Sequence, residues 1–439
     1  MIPSVRLFRL LIIGGAIAST FATLWPSDSR LMIAIAGLIG WDGVILLLAI
    51  WDSWRVQSER IQVTRQPLQR LSIGRENQVG LTVDSGRQAV EIQLYDVYPM
   101  DFSVSAMPLK ATLPANTQQE LTYTIHPDHR GEYVWGDIQV RQLGPWKLAW
   151  SAWSVPQKQT VAVYPDLMGL RSLAIRLAFQ STGTIRQKHR LGLGAEFAEL
   201  REYSVGDDPR LIDWKATARR NSPLVRVLEP EQEQTLIILL DRGRLMTAQV
   251  KGLSRFDWGL NATLSLALAG LNRGDRVGVG VFDRQIHTWI PPTRGQQHLP
   301  DLIERLTPIQ PELLESDYLS AVTNLVNQQH RRALVVMITD IVDATASAEL
   351  LSALMRLRPR YLPFCVTLRD PQVDHIAHTP TEDVQAAYNR AVALDLLAQR
   401  QVTFGQLKQQ GVLTLDAPAN QITEELVEEY LRIKGLSQL

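Results

Sequence analysis

The sequence has little cysteine, no excess of either charge, and no histidines at metal-ligand spacing. Its one cysteine, Cys365, lies in the apolar run YLPFCVTL, so a buried thiol is expected and no internal disulfide can form. Lysine plus arginine and aspartate plus glutamate both total 45, so no basic excess points to a nucleic-acid partner. These absences exclude a disulfide scaffold, while the 439 residues leave room for roughly two or three domains.

Two long apolar runs stand near the N-terminus. They cover Leu10 to Trp25 and Leu31 to Trp51, and the short connector PSDSR separates them. Because about 20 apolar residues span the hydrocarbon core of a bilayer, residues 1–54 are predicted to form a transmembrane helical hairpin in contact with membrane lipid. A cleaved signal peptide is the alternative for the first run, and the closeness of the second run argues against it.

Positive charge flanks the two runs on their outer sides. The flanking arginines are Arg6, Arg9, Arg55, Arg60 and Arg65. Since cytoplasmic segments carry the excess of lysine and arginine, this pattern predicts a multi-pass protein of the inner (plasma) membrane with everything after residue 52 in the cytoplasm.

Asp42 lies near the middle of the second run, where a carboxylate costs about 2.5–3.5 kcal/mol. We interpret it as hydrogen-bonded to Ser19 or Thr20 of the antiparallel helix, or to another subunit. A proton or ion site is the alternative interpretation.

Residues 60–165 alternate apolar and polar positions, in segments bounded by glycine, proline, asparagine and aspartate. A period of two is typical of half-buried strands, and the spacing of the turn residues favours an antiparallel, immunoglobulin-like β-sandwich. This module shows no catalytic constellation.

Strand and helix patterns alternate over residues 232–439. Apolar runs such as Thr235–Asp241 and Ala333–Asp340 predict strands buried on both faces, with helices between them. This order is typical of an α/β doubly wound domain with a mostly parallel sheet. Ligands of such sheets lie beyond the carboxyl ends of the strands, where both runs end on aspartate.

The same order resembles a von Willebrand factor A domain, which holds a divalent cation through Asp-x-Ser-x-Ser after its first strand. Here the motif reads DRGRL from Asp241, so both hydroxyls are missing and two arginines are added, while Asp340 matches the later aspartate. A hard cation prefers oxygen ligands, so Mg²⁺ at Asp241 and Asp340 stays an alternative. We expect no cofactor, and a guanidinium paired with one of the two aspartates instead.

Residues 190–231 form a densely charged segment. Asp208 followed by Pro209 predicts a helix start, and the helix Pro209–Arg220 would end at Asn221. The candidate interaction or structural residues are Glu196, Arg201, Glu202, Asp207, Asp208, Arg210, Asp213, Trp214, Lys215 and Arg219. The simplest interpretation is an internal salt-bridge lattice that pins the segment to the α/β domain.

The string G-x-E-F-x-x-L-R-E-Y-x-x-G-D-D-x-R-x-I-D-W-K-x-T-A-R from Gly194, with P-x-V-R from Pro223, resembles the signature of the bacterial family called "domain of unknown function 58". The resemblance implies a membrane-anchored protein without enzymatic activity. It also implies partnership with a MoxR-type AAA+ ATPase in the assembly or maturation of other protein complexes.

Two other functions are weighed against this interaction module. One is an adhesion-type module that binds through a cation at Asp241 and Asp340. The other is a metal-dependent nuclease, because Asp213-Trp214-Lys215 with Asp207 or Asp208 imitates the acid and lysine spacing of such sites, although no basic stripe accompanies it. Charge reversal at Arg201 or Lys215 should harm the interaction module more than chelation does.

Overall fold

A computed structural model describes residues 2–24, 28–68, 70–184, 196–204, 207–220, 222–229, 234–341, 347–380 and 383–435. The chain divides into two compact units, Met1–Tyr164 and Pro165–Leu439.

The first unit opens with two packed helices, α1 (Val5–Leu24) and α2 (Asp28–Ser58). Both are long and apolar enough to cross a membrane, and most of their side chains are exposed. The indole ring of Trp41 in α2 lies against Gly14 of α1, where a Cβ would overlap it. Its Nε1 donates a hydrogen bond to the Leu10 carbonyl at 3.1 Å. The glycine therefore permits the close approach of the two helices.

Among the described residues, neither Ser19 nor Thr20 forms the predicted hydrogen bond to Asp42, and a partner in another subunit stays a prediction. The Thr20 hydroxyl donates to the Ile17 carbonyl of its own helix at 2.9 Å, a local bond that competes with any partner across the hairpin. Asp42 Oδ1 is buried, and it has no hydrogen-bond partner within the described part of the chain.

The rest of the first unit is a β module of three sheets. Its strands are β1 (Ile2–Pro3), β2 (Gln62–Arg65), β3 (Leu71–Ser72), β4 (Asn77–Asp84), β5 (Val90–Asp96), β6 (Phe102–Val104), β7 (Leu109–Leu113), β8 (Gln118–Pro127), β9 (Gly131–Trp135), β10 (Ile138–Leu143), β11 (Ala149–Val155) and β12 (Gln159–Tyr164). The sheet orders are β1-β11-β10-β5-β7, β2-β4-β8-β6 and β3-β12-β9.

One strand pair departs from the predicted antiparallel arrangement. β3 and β12 run parallel, with Leu71 opposite Val163 and Ser72 opposite Tyr164. Only strands joined by a hairpin must be antiparallel, and the long connection between these two strands leaves their direction free.

The second unit carries an α/β region. Its elements are α3 (Leu167–Thr184), β13 (Glu196–Glu202), α4 (Trp214–Arg220), β14 (Leu224–Glu229), β15 (Thr235–Asp241), β16 (Gln249–Val250), β17 (Leu253–Ser254), α5 (Arg255–Asn272), β18 (Arg276–Phe282), β19 (Ile286–Thr293), α6 (His298–Leu306), α7 (Tyr318–Gln328), β20 (Leu334–Thr339), α8 (Ala348–Leu357), β21 (Leu362–Arg369), α9 (Pro371–His378), α10 (Val384–Gln409), β22 (Leu413–Pro418) and α11 (Ile422–Gly435). α3 lies between the predicted domain ranges.

A six-stranded sheet, β19-β18-β15-β20-β21-β22, forms the core of this unit, and every pair except β18 with β19 is parallel. β15 is buried throughout, and its side chains alternate between two layers of helices. Leu240 packs towards Gly259 of α5, whereas Ile237 and Leu239 join a core cluster with residues of α7, α8 and α10. The carboxyl ends of β15, β20, β21 and β22 therefore meet at one edge of the sheet.

Candidate functional site

Asp241, at the carboxyl end of β15, lies inside a closed set of hydrogen-bond donors. Ser316 Oγ and the Gly243 N–H donate to Oδ1 at 2.5 and 2.8 Å, while the Thr339 and Tyr318 hydroxyls donate to Oδ2 at 2.6 and 3.3 Å. Burial raises the pKa of the Asp241 carboxyl above its ordinary value, and the four donors oppose that rise. Both carboxylate oxygens are thus satisfied by the chain itself.

Ser316 fills the space that a side chain at position 243 would occupy. A Cβ at Gly243 would overlap the Ser316 hydroxyl and approach the Leu314 carbonyl oxygen to 2.8 Å. The hydroxyl that DRGRL lacks next to Asp241 therefore comes from a loop 75 residues further along the chain.

Asp340, just beyond β20, is held by two guanidinium groups. Arg255 donates to Oδ2 at 2.6 Å and Arg400 donates to Oδ1 at 2.8 Å, where the sequence predicted a guanidinium at one of the two aspartates. Arg400 also donates to Asp416 Oδ1 at 2.8 Å, which links the ends of β20 and β22. The two guanidiniums place positive charge around Asp340, and this charge would repel a divalent cation.

The two arginines of DRGRL also pair with acids. Arg242 is buried and contacts Asp283 at 2.8 Å and Glu312 at 2.7 Å, whereas the exposed Arg244 contacts Glu315 at 2.7 Å. Burial acts to raise the pKa of Asp283, but the hydrogen bond and charge of Arg242 outweigh it, so this pKa is lowered.

Metal binding at Asp241 and Asp340 stays a prediction. In the described ranges, no group of three or more His, Cys, Asp or Glu side chains is placed to hold a metal ion. A cation at either aspartate would have to displace hydroxyl or guanidinium donors that already hold it.

The signature segment has a different construction. β13 and β14 form an antiparallel pair, and the turn after β13 is closed by Asp207. Asp207 accepts from Arg201 at 2.6 Å and from the Ser204 N–H at 2.8 Å. These bonds, that of Arg201 first, lower the pKa of the Asp207 carboxyl. Arg201 therefore acts as an internal clamp on the turn.

The predicted helix Pro209–Arg220 is wrong in its extent. The chain forms a 3₁₀ turn at Pro209–Leu211, and α4 then begins at Trp214. Ile212 is extended and pairs with Val225 of β14, which interrupts the helical path. The predicted start is correct, because Asp208 caps the 3₁₀ turn. The helix does not continue from it, because Ile212 pairs with Val225 instead.

Asp213 caps α4 and ties it to the neighbouring strand. Its Oδ1 accepts from the Lys215 and Ala216 N–H groups at 3.0 Å each, and its Oδ2 accepts from Arg226 at 2.8 Å. The bond from Ala216 and then that from Arg226 lower the pKa of Asp213. With both oxygens engaged, Asp213 offers no free carboxylate for the nuclease interpretation.

The remaining candidate residues of the segment lie at the surface. Trp214 is 70% exposed, an unusual state for an indole. The exposed charged candidates are Glu202, Asp208, Arg210, Lys215 and Arg219. Glu196 lies in β13, and its side chain is outside the described residues. The two ion pairs described for the segment, Arg201–Asp207 and Arg226–Asp213, join it to itself and do not pin it to the α/β sheet.

Sequence inspection missed Ser316, Thr339, Arg255 and Arg400 as partners of the strand-end acids. Asp416 was also missed, and it lies near the carboxyl end of β22, at the same edge of the sheet.

Fold and site together define a class: a chain with two N-terminal apolar helices, a β module, and an α/β region whose strand-end acids accept hydrogen bonds from the chain itself. A family model matches part of the chain. Residues 199–395 match the family model "Protein of unknown function DUF58", so the resemblance seen in the signature is confirmed over this region.

Relatives with this likeness are themselves uncharacterized. The chain is 23% identical over 235 residues to the uncharacterized protein Rv1480 of Mycobacterium tuberculosis, which covers 52% of this chain and 73% of the relative. It is 24% identical over 191 residues to the uncharacterized protein YeaD of Bacillus subtilis, covering 42% and 44% respectively.

Two solved structures resemble the chain weakly. The conserved hypothetical protein BatB from Bacteroides thetaiotaomicron gives a TM-score of 0.32 at 15% identity, covering 46% of this chain and 99% of that one. An aerotolerance-related membrane protein from Bacteroides fragilis gives 0.29 at 16% identity, covering 45% and 99%. Likeness at this level carries no argument about function.

Proposed function

We propose that this protein is a membrane-anchored, non-enzymatic protein-interaction module, with a von Willebrand factor A-like α/β domain and a signature segment that contacts the partner. The observation that carries the proposal is the contrast between the strand-end acids, which the chain satisfies itself, and Trp214, which is 70% exposed.

The anchor is supported by α1 and α2. Their apolar lengths, 19 and 27 residues, suffice to cross a bilayer, and their side chains are mostly exposed. Arg6 and Arg55 flank the pair on the same side, so we place both chain ends and the two folded units in the cytoplasm.

The interaction surface is supported by its chemistry. An exposed indole beside positive side chains is the combination that dominates the binding energy of many interfaces. Lys215 and Arg219 are four residues apart on α4 and so share a face of the helix, and Arg210 precedes it. Charge complementarity favours an acidic partner surface. The family resemblance suggests a MoxR-type AAA+ ATPase as that partner, in the assembly or maturation of other complexes.

Arg201 is half-buried, whereas Lys215 is exposed. Because Arg201 clamps Asp207, its charge reversal would disturb the turn as well as any partner contact. Trp214 and Lys215 are the more direct probes, since Lys215 forms no side-chain ion pair with the described residues.

The test is a pull-down from solubilised membranes with the full chain tagged at its C-terminus, with and without EDTA. Trp214→Ala and Lys215→Glu are compared with Tyr388→Ala and Lys158→Glu, which change exposed side chains elsewhere. We expect an AAA+ ATPase to be recovered by the unaltered chain and by both controls, despite EDTA, and to be lost with the two signature variants.

Other outcomes are equally informative. Loss of the partner on chelation alone would favour the cation-dependent alternative at Asp241 and Asp340. Recovery of no ATPase by the unaltered chain under any condition would sink the proposal.

A further inference from the structure

One turn of the β module is fastened to the end of α2. The Asp52 carboxylate is fully buried and accepts the N–H groups of Trp146 and Leu148, each at 2.9 Å, and that of Ala149 at 3.3 Å. A Cβ at Gly144 would overlap this carboxylate, so only glycine leaves room for it. A buried charge with three amide donors fixes the turn against the helix.

The start of α1 is fastened to the same turn. The Ser4 N–H donates to the Leu148 carbonyl at 3.1 Å, and its hydroxyl donates to the Lys147 carbonyl at 2.6 Å. Arg6 donates to the Trp146 carbonyl at 3.2 Å. The outer ends of both apolar helices therefore converge on residues 144–149.

This convergence assembles a cluster of indoles and guanidiniums. The rings of Trp51 and Trp146 have their centroids 4.6 Å apart, and the Arg55 guanidinium lies 5.3 Å from the Trp51 centroid. Trp54 is 69% exposed beside them. A groove of about 530 Å³ lies along this end of α2, lined by Trp51, Trp54, Arg55, Gln57 and Ser58.

Within the part of the chain that the structure describes, the positive charge of the cluster has no acidic ion-pair partner. Asp52 is the acid at its centre, and both its oxygens are occupied by amides. Among the residues described, no carboxylate forms an ion pair with Arg6 or Arg55, and both side chains are exposed. Two exposed guanidiniums and an open groove therefore lie at the outer ends of the apolar helices.

We propose that this cluster binds the headgroup of an anionic phospholipid. A phosphate accepts two parallel hydrogen bonds from a guanidinium, and indoles partition to the headgroup depth of a bilayer. The Asp52-held turn joins the outer ends of the two helices, which carry Arg6 and Arg55. The inference rests on the membrane anchoring proposed above and adds a lipid preference to it.

The experiment uses the full chain in detergent, titrated with phosphatidylglycerol or phosphatidylcholine and monitored by native mass spectrometry. We expect phosphatidylglycerol to bind more tightly. Each basic side chain near a membrane surface is worth about 1 kcal/mol, so Arg55→Gln should weaken this binding about fivefold and the double variant Arg6→Gln/Arg55→Gln about 25-fold. Arg87→Gln, an exposed arginine of the β4–β5 turn, should change nothing.

Equal binding of the two lipids would overturn the inference, as would a phosphatidylglycerol preference that survives in the double variant. Arg55→Lys keeps the charge and should retain most of the preference, which separates loss of charge from loss of folding. Carbonate washing of membranes tests the anchor separately. A chain that resists the wash but shows no lipid preference refutes only this inference, whereas release by the wash refutes the anchor and the inference together.

Discussion

The strand-end site and the signature segment both contain aspartates held by hydrogen bonds, but they differ in how deeply those aspartates are buried. At the sheet edge, Asp241 and Asp340 are buried, and every side chain that donates to them comes from a distant part of the chain. In the signature, Asp207 and Asp213 pair with residues 6 and 13 positions away, and the remaining charges face solvent. Burial makes the difference, because a desolvated carboxylate must be compensated and an exposed one need not be.

The contrast indicates that the strand-end acids support the fold, whereas the exposed part of the signature segment is the candidate binding surface. The acids that resemble a cation site hold the sheet edge together, so the density of charge by itself is a poor guide to function here. The exposed Trp214 is the better guide to a binding surface, because it takes no part in the ion pairs that hold the segment together.

The largest effect is expected from Arg400→Met. Removing this guanidinium takes away the buried partner that Asp340 and Asp416 share and leaves them Arg255 and Arg369, so we expect a loss of about 3 kcal/mol of unfolding free energy. Urea denaturation of the solubilised chain measures it, with the exposed Arg356→Met as the matched control. A loss no greater than that of the control would mean that the network does not stabilise the sheet edge.

Gly243→Ala should follow, with a loss of about 1–3 kcal/mol from overpacking against Ser316. Adding Ser316→Gly should recover part of the loss, so the double variant is less destabilised than the sum of the single ones. The control is Gly405→Ala, where a Cβ meets nothing within 4 Å and the helix gains a better former. Strict additivity of the two changes would contradict the assignment of Ser316 to this space.

Lowering the pH should reduce the stability that the signature aspartates contribute and increase the stability that Asp241 contributes. The pKa values of Asp207 and Asp213 are lowered, so their contribution is present above the unfolded value of about 3.9 and is lost as the pH falls through their folded values. The pKa of Asp241 is raised, so its contribution is greatest at low pH and declines as the pH rises through the raised value.

Hydrogen exchange, corrected for intrinsic rates, measures this difference between residues 200–216 and residues 236–245. We expect acid to loosen the signature turn first, and Asp207→Asn to remove that response near Ser204. Equal loosening of both regions would argue against opposite shifts.

The smallest effect on stability is expected from Trp214→Ala. A surface substitution of this kind changes the unfolding free energy by about 0.5 kcal/mol or less, while partner capture should be lost. A drop in stability comparable to that of Gly243→Ala would instead assign Trp214 to the fold.

Much of the α/β region could be predicted from local patterns. The predicted strand Thr235–Asp241 coincides with β15, and the predicted strand Ala333–Asp340 matches β20 to within one residue at each end. α9 was missed although Asp370 followed by Pro371 marks its start, and α3 was missed between two predicted domains. The split of the predicted helix at Ile212 could not be seen locally, because it depends on pairing with Val225.

The sequence by itself determined the apolar N-terminal helices, the alternation of strand and helix, and the placing of Asp241 and Asp340 at strand ends, since these follow from periodicity and local propensity. Only the tertiary structure decided what those aspartates bind. Thr339 and Ser316 reach Asp241 across 98 and 75 residues, and Arg400 reaches Asp340 across 60. Side chains so far apart in sequence meet only when the sheet edge assembles. The buried carboxylates then need hydrogen-bond donors, because burying a charge without a partner costs free energy.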